Sequence, residues 1–327
     1  MLSSVIVSVC LTIVVAIRAV EPADGDWVYS VKGDPRVNKY QLYGQPASKA
    51  DANASFARGY IRDRIPILRF AKNVGGAHER LRYVFAISPK SSAIPKPASN
   101  DIPRAKGLPP FTPLPHEDTT YIGNIAFEVT PLTDVIRGEQ KTISSGPPCL
   151  RIPPDNMFIW PDLADEKVRK ELDGWAALMF YEIAPQYWGQ GLMNEAILAV
   201  SEFVFFELGL GHVAIDPQTG NSSSIALARK FPDMEYMSTI QCRMSSAIHQ
   251  HVFVASRDNY IKRFGRPSIE TLPAGKRGCA WCYNPRAGVR GDGELCAGCK
   301  KRWYCGIECR AADWEVDGGH GQRCKRS

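Results

Sequence analysis

From Asp26 to about Tyr260 the chain switches repeatedly between a hydrophobic period of three to four residues and a period of two, the pattern of one mixed α/β domain. Ala50 to Asp63 carries the helical period, while Tyr83 to Ile87, Tyr121 to Val129 and Trp175 to Ile183 read as strands. After Gly191, the residues Met193, Ile197, Val200 and Val204 recur at three- and four-residue steps, which predicts a helix with one apolar face. Between the first two strands the period is lost: Pro89, Pro95, Pro97, Pro103, Pro109, Pro110, Pro113 and Pro115 fall in one stretch. Proline has no ladder donor, so residues 89–118 are expected to form an inserted surface loop, with a polyproline docking motif as the alternative. Residues 263–275, with Pro267 and Pro273, read as a linker to a separate tail at 276–327.

The first 22 residues form a different unit. Val5 to Ile17 is an almost unbroken β-branched run followed by Arg18 and Ala19, as in the apolar part of a secretory signal. No basic residue precedes it, and it is shorter than the roughly 20 residues of a membrane-spanning helix. A signal or anchor, a buried strand and an artefact of the gene model are the readings this segment leaves open.

Composition narrows the function. The 44% apolar and 23% charged content excludes wholesale disorder. The net charge of +6 is local: eleven basic against six acidic residues lie from Gly275 onward, leaving 29 against 28 before it. A nearly neutral main domain argues against a nucleic-acid groove built across it. Cysteine is equally lopsided. Only Cys10, Cys149 and Cys242 of the ten precede Cys279, which points to local metal or disulfide chemistry in the tail.

There the spacing is specific. Cys279 and Cys282 are separated by two residues, as are Cys296 and Cys299; Cys305 and Cys309 are separated by three, as are His320 and Cys324. Each pair can reach one ion, and eight ligands make two tetrahedral zinc sites. The tail has few large apolar residues, so zinc binding is expected to supply most of its folding free energy. Seven thiolates and two zinc ions also bring the module's charge down to about +2, too little for a DNA-binding finger with steep salt dependence.

The order of ligands resembles the MYND zinc finger, including Tyr304 before the fifth ligand and Trp314 between the sixth and seventh. The resemblance implies interleaved sites, with Cys279, Cys282, Cys305 and Cys309 on one zinc and Cys296, Cys299, His320 and Cys324 on the other. Arg310 stands where that family usually has glutamine, and the interval from Trp314 to His320 is longer than usual, which bears most on His320. Such fingers bind protein partners, often proline-containing peptides. Trp281, Trp303 and Tyr304 are expected either to line that groove or to form the finger's small core, and for Trp314 the core is expected.

A second signal is Gln186-Tyr187-Trp188-Gly189-Gln190-Gly191, set between the strand ending at Ile183 and the apolar-faced helix. Two glycines at a helix entrance let free N-H groups turn toward an anion that the helix dipole also favours, which is chemistry for a pyrophosphate. The stretch Ala176 to Phe231 resembles the GNAT N-acetyltransferase superfamily, nearest to the branch acting on ribosomal-protein termini. Gln186, Gly189 and Gly191 match its Q/R-x-x-G-x-G/A loop, and Asn194-Glu195-Ala196 match common neighbours. His212 to Ile215 resembles the next strand, Asn221, Ser224 and Lys230 fit the following helix, and His251 to Tyr260 resembles the closing strand. The implied fold is a GNAT-like mixed twisted sheet flanked by helices over residues 26–262.

That resemblance implies acetyl-CoA as cosubstrate. Its pyrophosphate would meet the amides of Trp188, Gly189, Gln190, Gly191, Leu192 and Met193, with Gln186 in the same loop, and its pantetheine would pair with the strand ending at Ile183. Asn221 would cap the last helix, meet the cofactor arm, or do both, with Ser224 beside it. Glu182, on the central strand, is the candidate base that frees the acceptor amine of its proton, and a solvent-facing strand residue is the equal alternative. Glu195 reads as a first-turn acid suited to the helix dipole. The tyrosine that several members carry in the helix after the asparagine is absent from Ile225 to Lys230, and the usual Gly-Phe ending is replaced by Phe231-Pro232.

His249 and His251 would share a strand face without a third ligand, and Cys149 and Cys242 read as ordinary buried thiols. No SET methyltransferase motif is found beside the finger. The reading is an N-acyltransferase that moves an acyl group from acetyl-CoA to a primary amine of a protein or small molecule. Its two-zinc finger would recruit a protein partner. The alternative is a non-catalytic adaptor with a degenerate GNAT fold. An intracellular location, cytoplasmic, nuclear or both, is expected, with no nucleic-acid partner, and no membrane contact unless residues 1–22 act as a signal or anchor.

Overall fold

The computed structural model describes residues 15–20, 24–42, 44–57, 59, 67–71, 74–79, 82–89, 121–139, 146–147, 151–152, 163, 165–231, 233–242, 245–264, 294–299, 303–304, 307–315 and 320–324. The elements begin with β1 (Val15–Ala19), α1 (Gly25–Lys32), α2 (Pro35–Asn38), α3 (Lys49–Phe56), β2 (Ile67–Ala71), β3 (Val74–Glu79) and β4 (Arg82–Pro89). Next come β5 (Gly123–Pro131), α4 (Leu132–Arg137), β6 (Arg151–Ile152), α5 (Glu166–Asp173), β7 (Trp175–Ile183), α6 (Leu192–Glu202), β8 (His212–Ile215) and α7 (Ser222–Lys230). The order ends with β9 (Glu235–Gln241), β10 (His249–Ser256), α8 (Arg257–Phe264), β11 (Glu294–Leu295), β12 (Trp303–Tyr304), α9 (Ile307–Glu315) and α10 (His320–Arg323).

The main sheet has the order β1-β4-β5-β7-β8-β10-β9, antiparallel throughout except for β7 beside β8. A parallel neighbour needs a crossover, and α6 supplies it, prolonged by a π-helical turn over Phe203–Glu207. The alternation of β7 divides the core. Ala177, Met179 and Ile183 join the cluster under α6, whereas Ala176 and Leu178 pack with Val135, Ala214, Val252 and Val254 in a second cluster. Met193, Ile197, Val200 and Val204 are all buried, as the period requires. Phe203 seals the end of that helix by meeting Tyr83 and Phe85 edge-on, while Tyr83 stacks on Phe127 at 4.8 Å between ring centroids.

Pairing between β7 and β8 covers only Ala176–Met179 against His212–Ile215. Beyond Met179, β7 continues to Ile183 and keeps β5 as its partner through Ile183↔Gly123. Past Ile215 the chain leaves instead toward β10, where the Pro217 carbonyl accepts from His251 N-H at 2.9 Å and Gln218 bridges Gln250. The two parallel strands therefore part, leaving one side of Phe180–Ile183 without a strand neighbour among the described residues.

Three boundaries differ from those read in the sequence. Val15–Ala19 pairs with Pro89–Phe85 as an edge strand, which adds a strand before residue 26 and corresponds to the buried-strand reading of this segment. The β-branched run suits both roles, and only a long-range partner distinguishes them. His251 to Tyr260 is not one strand: β10 stops at Ser256, whose hydroxyl accepts from Asn259 N-H, and Arg257 begins α8, which reaches Phe264. Pro89 belongs to β4, paired only with β1, so the proline-rich insertion starts after it; residues 90–120, the linker after Phe264, and residues 1–14 lie outside the described residues. Among the described residues no helix is long and apolar enough to cross a membrane.

Candidate functional site

The turn from β7 into α6 is built around two left-handed glycines, Gly189 at φ 74° and Gly191 at φ 79°. A side chain at either position would be strained, and a Cβ built on either meets no atom within 4 Å, so the loop faces open space. Gly191 is the N-cap of α6 and supplies no side-chain cap. Leu192 and Met193 bury their side chains in the core, so what they present outward is backbone N-H at the positive end of the helix. The loop is braced from within. Gln190 Nε2 donates to the Gln186 carbonyl at 3.0 Å, and the indole N-H of Trp188 donates to the Ile183 carbonyl at 2.8 Å while the ring stays 46% exposed.

Across the parted strands stands α7. Asn221 is its N-cap, the side chain accepting from Ser224 N-H at 3.2 Å. The Ser224 hydroxyl lies 2.6 Å from the phenol of Tyr181, which projects from the unpaired part of β7. Burial pushes the Tyr181 phenol far above its ordinary range, with the Ser224 hydrogen bond opposing and the Asp216 charge adding to the rise. Tyr181 is not marked in the sequence, where the family resemblance places such a phenol in α7; its place depends on β7 running two residues past its last pair with β8, which no local pattern encodes.

Glu182 is not a solvent-facing strand residue. It lies on the sheet face opposite α6, in ion pair with Lys32 at the end of α1 at 2.6 Å, with side chains 8% exposed for Lys32 and 2% for Glu182. Asn124, its cross-strand neighbour, donates to Glu182 Oε1 at 2.6 Å and lies 2.7 Å from the Tyr121 hydroxyl. On the same face lies the buried Ser88 Oγ, which has no hydrogen-bond partner among the described residues. Lys32 was not legible as a site residue, since nothing local links positions 150 residues apart. Glu195 accepts from Val15 N-H at 3.3 Å and so ties the first turn of α6 to β1.

In the tail the structure brings Cys296, Cys299, His320 and Cys324 together, their ligand atoms all within 4.8 Å of one another. Cys296 Sγ and Cys324 Sγ are 3.7 Å apart, and Cys299 Sγ is 3.3 Å from His320 Nε2. A tetrahedral zinc with ligand bonds of about 2.0–2.3 Å needs edges of about 3.3–3.8 Å, so this donor set fits the ion. Burial, together with the Cys296 and Cys299 sulfurs, pushes the Cys324 thiol up to about 11, a penalty that a divalent cation among the sulfurs removes. In α10 Gly321 is needed because a Cβ there would collide with the Trp314 carbonyl oxygen. Trp314 remains 37% exposed with its ring edge-on to His320, so it is not the core residue expected. Tyr304 is fully buried and donates to Asp313 at 2.8 Å, so it lines no peptide groove. Arg310, the substitute for glutamine, pairs with Glu294 at 2.9 Å. Cys279, Cys282 and Cys305, the side chain of Cys309, Cys149 and Trp281 lie outside the described residues.

His251 Nδ1 is 2.8 Å from the Thr239 hydroxyl, and among the described residues neither it nor His249 joins a metal-holding group. Cys242 is a buried free thiol.

A sheet with one parted parallel pair, a glycine-turned helix entrance and a Cys3His cluster define an acetyltransferase-type domain followed by a small metal finger. Residues 165–231 match the profile of the Acetyltransferase (GNAT) domain, and residues 279–324 match that of the MYND finger, a module that generally mediates protein interaction. The chain thus carries both. A relative described as an uncharacterized N-acetyltransferase of Schizosaccharomyces pombe is 25% identical over 240 residues, covering 73% of this chain and 89% of the relative. Among solved structures, a GNAT-family acetyltransferase from Bacillus anthracis is 13% identical with a TM-score of 0.42, covering 75% of this chain and 96% of that one. The structure of AAC(6')-Ib in complex with ribostamycin and coenzyme A is 12% identical with a TM-score of 0.44, covering 78% and 99%.

Proposed function

We propose that the chain transfers an acetyl group from acetyl-CoA to a primary amine, and that its finger recruits a protein partner. The observation that carries this reading is the parting of β7 from β8 immediately before a glycine-turned helix entrance. The Trp188 N-H is spent on the Pro185 carbonyl at 3.1 Å, so the amides from Gly189 to Met193 would hold the pyrophosphate, with Gln186 and Gln190 bracing the turn and Trp188 beside it. The strand-less side of Phe180–Ile183 offers main-chain groups to the amide-bearing arm, and Asn221 and Ser224 line the other wall. When bound, the thioester supplies the activated acyl group.

The chain's own residues do the rest. A β7 amide near Tyr181–Ile183 would stabilise the oxyanion, Glu182 would take the proton of the amine, and the protonated Tyr181 phenol would serve the departing thiolate. The finger would hold zinc through Cys296, Cys299, His320 and Cys324, and a second ion through Cys279, Cys282, Cys305 and Cys309, and would dock a proline-containing peptide. Native mass spectrometry of the whole chain with acetyl-CoA tests both halves at once. Two zinc ions and one coenzyme are expected; zinc without coenzyme would leave only the adaptor.

A further inference from the structure

Lys32 places a primary amine 2.6 Å from the carboxylate assigned as the base, inside the fold. Stability does not require that arrangement. A buried ion pair is often no better than an apolar pair of the same volume, and this one sits in a polar layer formed by Asn124, Tyr121 and Ser88. Glu182 belongs to the segment of β7 that runs on past its last pair with β8. The α6 face carries the anion-binding turn. On the opposite face the end of α1 brings the Lys32 amine to Glu182.

We infer that Lys32 is an internal acceptor, acetylated by its own chain from an acyl-CoA thioester. The inference rests on the acyltransferase reading. In the step, Glu182 takes a proton from the Lys32 ammonium, the freed Nζ forms a bond to the acyl carbon, and the carbon–sulfur bond breaks. As the adduct collapses, the nitrogen gives up a second proton, which the departing thiolate takes up, giving free coenzyme A and an N-acetyl-lysine. Acetylation removes the Lys32 charge and with it the ion pair to Glu182.

The test is peptide mass spectrometry of the full chain after incubation with acetyl-CoA, with coenzyme binding followed in the same sample by calorimetry. One acetyl increment is expected on Lys32, at a rate independent of protein concentration, ahead of the exposed Lys170 whose amine is far more accessible. The preference for Lys32 should vanish in heat-unfolded protein, and Glu182→Gln should slow its modification by about 10²-fold while coenzyme binding persists. Coenzyme binding with Lys32 left unmodified, or modified only in step with Lys170, overturns the inference and spares the acyltransferase reading. Absence of coenzyme binding overturns both.

Discussion

The phenol of Tyr181 and the hydroxyl of Ser224 meet at 2.6 Å across the mouth of the parted strands. They link β7 to α7 at the level where β7 and β8 cease to pair. If Tyr181 protonates the leaving thiolate, Tyr181→Phe should lower kcat by about 10²-fold with the amine KM unchanged. Steady-state kinetics at several pH values measures this, and an unchanged kcat assigns the phenol a structural role. The same burial has a stability consequence. Because the folded phenol ionises above its unfolded value of about 10, stability is complete below that pH and falls as pH rises past it. Tyr181→Phe should flatten part of that alkaline loss in urea titrations.

Gly191 sits at φ 79° with nothing near its missing Cβ, so Gly191→Val should cost about 1–2 kcal/mol through backbone strain alone. Coenzyme A affinity should fall further than that, by at least about tenfold beyond the folding loss, because the amides of the helix entrance would be re-aimed. Calorimetry beside thermal unfolding separates the two effects.

Chelation of zinc should unfold the finger while leaving the main sheet intact, since the tail lacks the apolar mass to fold alone. Circular dichroism should record loss of α9 and α10 only, and coenzyme affinity should be unchanged. Cys299→Ser should reproduce the loss at the site shared with His320.

Burial holds the His212 imidazole below its ordinary value of about 6.5, against the favourable Asp173 and Asp258 carboxylates and with the help of Arg257. The unfolded chain therefore takes up the proton first as pH falls. Stability should decline from about pH 6.5 down to the lower folded value, and His212→Gln should remove that part of the decline in denaturant melts.

What could be read in advance followed the range of the forces involved. The limits of β7, the apolar face of α6, the Asn221 cap and the cysteine pairs are local patterns, and the structure reproduces each of those that fall among the described residues. Val15–Ala19 was ambiguous because its identity depends on β4, about 70 residues away. The pairing of Lys32 with Glu182 and of Tyr181 with Ser224 joins elements whose approach only the folded sheet dictates. Tyr304 takes the core role that was one of its two expectations, held by its hydrogen bond to Asp313, while Trp314 stays 37% exposed instead of entering the core.

The edge strand at the amino end carries a practical lesson for shortened versions of the chain. Starting synthesis at Asp26 would strip β4 of its outer neighbour from Phe85 to Pro89 and leave Glu195 without the amide it now accepts. The bared strand would offer open main-chain groups alongside Phe85 and Ile87, which is a template for stacking against another copy. Such a trimmed protein should precipitate or oligomerise while keeping most of its helices, and poor solubility there would reflect a missing border rather than a misfolded main domain.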